Sequence, residues 1–235
     1  MTNRTAQLVL YSGGHKGTEA EFGRCADRWG IHEITFSFPG HRMEWSREVR
    51  VLTAKELAQG DVSMAIVSRH MGRSYTKLEL VRRVIQSMYH IVVNAYQVFA
   101  AGWIQPDGTV QGGTGWGVEL AKFFNRPVSV FDQDRNHWFT WKAGGWMPDN
   151  PVIGEKPFAA TGTRRLTDAG RTAIAALFER SFGPAPERAA APKRPAAAQP
   201  SSRRPRAKPA PARKAATARA ASRASKSKRA ARSGR

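Results

Sequence analysis

Cysteine is nearly absent from the sequence. The one thiol among 235 residues, Cys25, excludes an intrachain disulfide, a CxxC redox pair and a multi-cysteine zinc site. No apolar run reaches the roughly 18 residues that a membrane helix needs. Met1 to Gln7 is polar and carries no apolar h-region, so no secretory signal is expected. A cytoplasmic location follows, nucleoid-associated in a bacterium or nuclear in a eukaryotic setting. The six histidines, at 15, 32, 41, 70, 90 and 137, show no paired metal-ligand spacing, so no metal is expected. No Ser/His/Asp triad is signalled, and no cofactor is called for.

Acid is scarce at one end only. Of 38 basic and 18 acidic residues, 16 bases and a single acid, Glu187, lie after Gly183. Residues 184–235 therefore carry a net +15, while residues 1–183 carry +5, an ordinary globular balance. The last 52 residues hold 18 Ala and 8 Pro and no aromatic. Such a stretch buries too little apolar surface to offset the ordering cost, roughly 1–2 kcal/mol per residue for the backbone alone. It is expected to be disordered when free and to bind nucleic acid or another polyanion through charge. The domain boundary is expected at Gly183-Pro184.

What remains is patterned as α/β. Residues 6–11 (AQLVLY) form a short β-prone run, Thr18 to Trp29 has helical spacing, and His32 to Phe38 is a strand that meets the Pro39-Gly40 turn. Strand, helix, strand points to a parallel sheet. Thr53 followed by Glu56 marks a capping box for a short helix to Gln59. Asp61 to Met71 leans to helix, and Tyr75 to Val93 carries the stripe Leu78, Val81, Ile85, Met88, Val92. Strands are expected at 97–104, 127–132, 137–141 and 158–161, and helices at 118–124 and 167–182. The fold class is an α/β, Rossmann-like parallel sheet flanked by helices.

Two glycine-rich loops each follow a strand and open a helix. The first is Ser12-Gly13-Gly14-His15-Lys16-Gly17-Thr18, the second Gly112-Gly113-Thr114-Gly115-Trp116-Gly117. Glycine permits close backbone approach, and a helix N-terminus offers unpaired N–H groups to an anion. Ser12, Gly13, Gly14, Lys16, Gly17, Thr18, Gly112, Gly113, Thr114, Gly115 and Trp116 are thus candidate ligand-binding residues. Asp132 joins them at the end of a strand on the same sheet edge. Turn geometry and helix packing are the plainer reading of the same glycines, and Asp132 could equally cap its loop. Glu119, one turn into the second helix, reads as a dipole-stabilised charge cap or as a general acid/base. The tryptophans at 103, 138, 141 and 146 read as packing, with Trp116 better placed than any for stacking. His15, in the first loop, is placed to touch a phosphate, with a surface loop residue the plainer reading, and Cys25 reads as a packed core thiol.

These motifs, with Val130-Phe131-Asp132-Gln133 and Phe158 to Gly170 (FAATGTRRLTDAG), resemble the SLOG superfamily of Rossmann-like proteins over roughly residues 6–183. That group includes the lonely-guy phosphoribohydrolases, nucleotide-sensing domains of bacterial defence systems and the DNA-processing protein A family. Gly112, Gly113, Gly115 and Glu119 fall in register on the lonely-guy GGxGTxxE motif. Trp116 stands where that motif has threonine. Arg82 and Arg83 are the candidates for the arginine with which those enzymes pair the glutamate. The resemblance implies a nucleotide or nucleotide-derived ligand. The alternatives it leaves open are a non-enzymatic DNA-binding or packaging protein and a phosphoribohydrolase acting through Glu119. A homo-oligomer is among the partners to be considered, and a membrane is not.

Overall fold

The computed structural model describes residues 8–74 and 78–186. The basic tail, the first residues of the 6–11 run and the start of the helix expected from Tyr75 lie outside these. The described residues contain eight strands and six α-helices. In chain order they are β1 (Val9–Ser12), α1 (Thr18–Arg28), β2 (His32–Ser37), β3 (Glu48–Val51), α2 (Ala54–Ala58), α3 (Asp61–His70) and α4 (Glu79–Val93). There follow β4 (Gln97–Gly102), α5 (Thr114–Phe123), β5 (Val128–Asp132), β6 (His137–Lys142), β7 (Gly145–Pro148), β8 (Phe158–Gly162) and α6 (Asp168–Phe182).

All eight strands form one sheet in the order β3-β2-β1-β8-β4-β5-β6-β7. From β3 to β5 every neighbour is parallel, and β6 and β7 extend the sheet as an antiparallel hairpin. The last strand of the chain, β8, fills the centre. Leu10 of β1 faces Phe158, and Ala100 of β4 faces Thr161. The α/β fold class read from the sequence is therefore present, with β8 inserted between β1 and β4.

Strand alternation divides the core into two layers. Val98 and Ala100 of β4, Val128 and Val130 of β5, and Ala159 of β8 face one layer, covered by α2 to α5. Phe99, Ala101, Phe131, Phe158 and Ala160 face the other, covered by α1 and α6. Cys25 belongs to this second layer, and burial pushes its thiol up to about 12. The packed-thiol reading holds.

Local signals account for several boundaries. Thr53 Oγ1 accepts from Glu56 N (3.2 Å), and Glu56 Oε2 accepts from Thr53 N (2.8 Å), the reciprocal capping box. Thr167 caps α6 by accepting from Gly170 N. Gly60 occupies the N-cap position of α3 and no side chain caps it; the Asp61 carboxylate instead accepts from Arg82 Nη2 and Gln86 Nε2 of α4. Two strands carry little pattern of their own. β3 is exposed at all four positions and exists through pairing with β2. β7 ends in Pro148 at the sheet edge, where a missing N–H costs least.

Phe158 tests the central insertion. Its ring is fully buried and meets Phe99 and Phe178 edge-on at 6.1 Å each. Phe158→Ala is expected to cost about 3–5 kcal/mol. In urea unfolding this should appear as a lower midpoint with an unchanged slope; an unchanged midpoint would show that β8 contributes little.

Candidate functional site

The parallel strands end together on one edge, where ligands sit in open α/β sheets. There a cleft of about 660 Å³ is walled by three loops and by residues of α1, α4 and α5. The β1–α1 loop contributes His15, the β8–α6 loop Gly162 to Arg165, and the β4–α5 loop Trp103 and Gln111 to Gly113. Thr114 and Trp116 follow at the start of α5, and α4 lays Val81, Val84, Ile85 and Met88 along the remaining wall. Both glycine loops thus meet one cavity.

They meet it differently. In the first loop Glu19 turns back beneath its own helix start. Its Oε2 accepts from Gly13 N, His15 N and His15 Nδ1, each at 3.1 Å. Thr161 of β8 approaches its Oε1 at 3.5 Å. Two of the loop's amides, Gly13 N and His15 N, are therefore spent on an internal carboxylate, and Gly14 N donates to Ser12 Oγ at 3.2 Å. Thr18 N and Oγ1 both donate to the Thr163 carbonyl, closing the α1 N-terminus as well. Ser12 Oγ donates to Glu33 Oε1, and Trp45 Nε1 to Glu33 Oε2, both at 2.8 Å. Burial pushes the Glu33 carboxyl up, against these two bonds. Gly14 has a left-handed φ of 67°, and a Cβ there would overlap the Trp45 carbonyl. Ser12, Gly13, Gly14, Gly17 and Thr18 consequently build the loop, and what the loop presents outward is His15 and Lys16.

The second loop is open. α5 begins at Thr114, four residues earlier than the sequence reading, with Gly113 as N-cap. Thr114 N and Gly115 N have no acceptor among the described residues. Gly115 is inside, against the Val110 carbonyl and Arg73, and Gly117 packs on Thr161. Gly113 alone is under neither demand: its φ is −63° and a Cβ would meet nothing within 4 Å. Arg73, beyond the end of α3, clamps the loop from behind. Its Nη1 donates to the Val110 carbonyl (3.0 Å), and its Nη2 to Gln105 (2.6 Å) and Thr109 (2.9 Å).

Four of these expectations change or narrow. Glu119 does not line the cleft. Lys122 Nζ donates to its carboxylate at 2.7 Å while lying 3.7 Å over the Trp141 ring, so Glu119 belongs to a cluster on the hairpin side. Arg82 and Arg83 do not reach it either; they pair with Asp61 and Glu79. Asp132 is buried and caps its own loop, accepting from Ile104 N, Asp134 N and Arg135 N. His15 is not a surface residue but 9% exposed and ion-paired.

Residues singled out by no sequence argument complete the site. His15 Nε2 meets His41 Nε2 at 3.0 Å, and His41 Nδ1 meets Ser37 Oγ at 3.3 Å. Burial and the neighbouring His15 hold His41 down at about 4. Burial also opposes charge on His15, but the Glu19 carboxylate outweighs it and the net shift is upward. The Glu19 carboxyl is in turn held below its ordinary range, against its own burial, by His15. The consistent pattern is Glu19 carboxylate, His15 imidazolium and neutral His41. Arg164 and Arg165 stand at the mouth, and Arg165 lies 5.2 Å over the Trp103 ring. They sit in the segment FAATGTRRLTDAG, where a pair of arginines after a strand-end glycine was the available signal.

No protein-family model matches the sequence, and neither does any curated protein. Among solved structures it is similar to a protein from Syntrophus aciditrophicus provisionally assigned as a molybdenum carrier. The identity is 13%, over 74% of this chain and 94% of that one, with a TM-score of 0.44. No described helix is long and apolar enough to cross a membrane.

The Glu19–His15 pair fixes a pH dependence. The raised His15 contributes stability that is complete below its ordinary 6.5 and is lost as pH rises through its folded value. The lowered Glu19 contributes stability that is complete above 4.5 and is lost as pH falls through its folded value. Stability from the pair should therefore plateau between these limits and decline above pH 6.5. Glu19→Gln should cost about 3–5 kcal/mol on the plateau, because it strands a buried charge, and less at higher pH, where His15 is neutral. Urea titrations across pH check this; a cost that is flat with pH would show that the pair is not ionised.

Proposed function

We propose that the folded body binds a nucleotide or nucleotide-derived ligand in this cleft, as the SLOG resemblance implies, and that the basic tail holds nucleic acid. The observation that carries the first part is the open start of α5. Thr114, whose amide has no acceptor among the described residues, and the unencumbered Gly113 line the same cleft as Arg164 and Arg165. A helix N-terminus facing arginines is suited to a phosphate-type anion. The apolar α4 wall and the Trp103 and Trp116 rings suit a flat, uncharged portion of the same molecule. Burial of Glu119 against Lys122 removes the motif carboxylate from the cleft and favours a binder over a phosphoribohydrolase. Of the first loop, the His15 side chain lines this cleft and supports a polar contact on its other side.

Mass spectrometry of small molecules released from the purified protein tests this reading, together with thermal shifts across a nucleotide panel. Ligand at 100 times its Kd should stabilise the wild type by about 2.7 kcal/mol. Gly113→Val should abolish the shift while leaving the ligand-free melting temperature nearly unchanged, since its Cβ meets open space. A wild type that carries no ligand and shifts with no nucleotide would refute the cleft assignment.

The tail's net +15 supports the second part. The full chain should bind duplex DNA of unrelated sequences alike, with affinity falling steeply in salt at about 0.9 per neutralised phosphate on logarithmic axes. A chain ending at Gly183 should lose most of that binding. Equal binding by the truncated chain would move the nucleic-acid surface onto the body.

A further inference from the structure

The cleft does not end at His15. A second cavity, of about 680 Å³, adjoins it and shares His15, Val84 and Arg164 as lining residues. The two halves differ in chemistry. Val81, Ile85, Met88 and the two tryptophans line only the first. Lys16, His41 and Arg42 line only the second.

Charge in the second cavity is uncompensated. Lys16, Arg42 and Arg164 are exposed at its rim, and none forms an ion pair with a described carboxylate. The one carboxylate on the wall, Glu44, is taken by Arg24 at 2.7 Å. His15 adds its imidazolium, which Glu19 holds from behind through Nδ1. Three unpaired cations and an oriented histidine, converging from three separate loops, form a field for more than one negative charge.

From the continuity of the two cavities we infer that the ligand is a nucleoside polyphosphate. Its base lies in the first cavity and its phosphate chain passes Arg164 and His15 into the second, toward Lys16 and Arg42. This rests on the nucleotide reading of the cleft. The proximal phosphate meets the open amides of α5, and each further phosphate gains contacts that a monophosphate cannot reach. Charge-assisted bonds from arginine to phosphate are the strong ones, so affinity rises with chain length.

Calorimetric titration of the full chain with adenosine, AMP, ADP and ATP in magnesium-free buffer tests this, with the guanosine series in parallel. Within the series that binds, the triphosphate should bind at least tenfold more tightly than the monophosphate. Lys16 and Arg42 line only the second cavity and make no described ion pair, so Lys16→Ala/Arg42→Ala should fold normally. It should bind the monophosphate within about twofold of wild type and lose most of the triphosphate's advantage. Equal affinity for mono- and triphosphate, or an advantage that survives in the double variant, overturns the polyphosphate inference and leaves the nucleotide cleft standing. Absence of binding by every nucleotide overturns both.

Discussion

Everything at the sheet edge depends on where one carboxylate goes. Glu19 is buried in the first turn of α1, where it has no solvent to hydrate it. A charge in that position survives only with partners on nearly every lone pair. The chain supplies them by folding the β1–α1 loop over it, so that two backbone amides and one imidazole converge on Oε2. The loop's shape follows from that demand. So does the position of His15, whose ring is fixed at Nδ1 and is left with Nε2 to face His41 and the cavities. Thr161 ties the same carboxylate to β8, so the first loop and the centre of the sheet are registered against one buried atom pair.

The late return of the chain to the middle of the sheet is the second constraint. Because β8 lies between β1 and β4, its loop separates the two glycine-rich loops and lays Gly162 to Arg165 between them. An arrangement with β1 beside β4 would have brought the two loops into contact and closed the space. The inserted strand holds them apart by one strand spacing on either side, roughly 5 Å each. It also brings Arg164 and Arg165 to the middle of the edge. Cleft width and cleft charge therefore come from the same segment, FAATGTRR, which is distant in sequence from both glycine motifs.

The sequence was most informative where one element determines its own pattern. The helical stripe through Ile85 and Met88, the Thr53/Glu56 box and the apolar runs of β1, β4, β5 and β8 all describe local periodicity or capping, and the elements formed where the pattern indicated. β3 and β7 were silent because edge strands bury little and so carry no alternation. The glycines marked two loops that line one cleft but not how each loop is built. Nothing in Ser12-Gly13-Gly14 says that its amides will close on Glu19 instead of an external anion, because that depends on a side chain one helical turn away and on the burial of both. Nor could spacing alone tell that Lys122, three residues after Glu119, is held over two tryptophans of the β6–β7 hairpin and draws the motif carboxylate to that side. His41, in a loop without pattern, is brought to His15 only by the fold.

Two loops of similar composition have thus acquired opposite electrostatic roles. The first turns the amides of Gly13 and His15 onto Glu19 and offers side-chain cations; the second has no internal carboxylate beneath it and contributes no charge of its own. Of the four glycines in the second cluster, Gly115 and Gly117 are explained by the backbone and side chains pressed against them, and Gly112 by its left-handed φ of 66°. Gly113 has no such explanation within the protein, and it is the one beside the unpaired amides. On the proposed reading, that open position leaves room for the ligand's anionic group, whose charge the arginines lining the same cleft match in sign and whose uncharged part rests on the apolar face of α4.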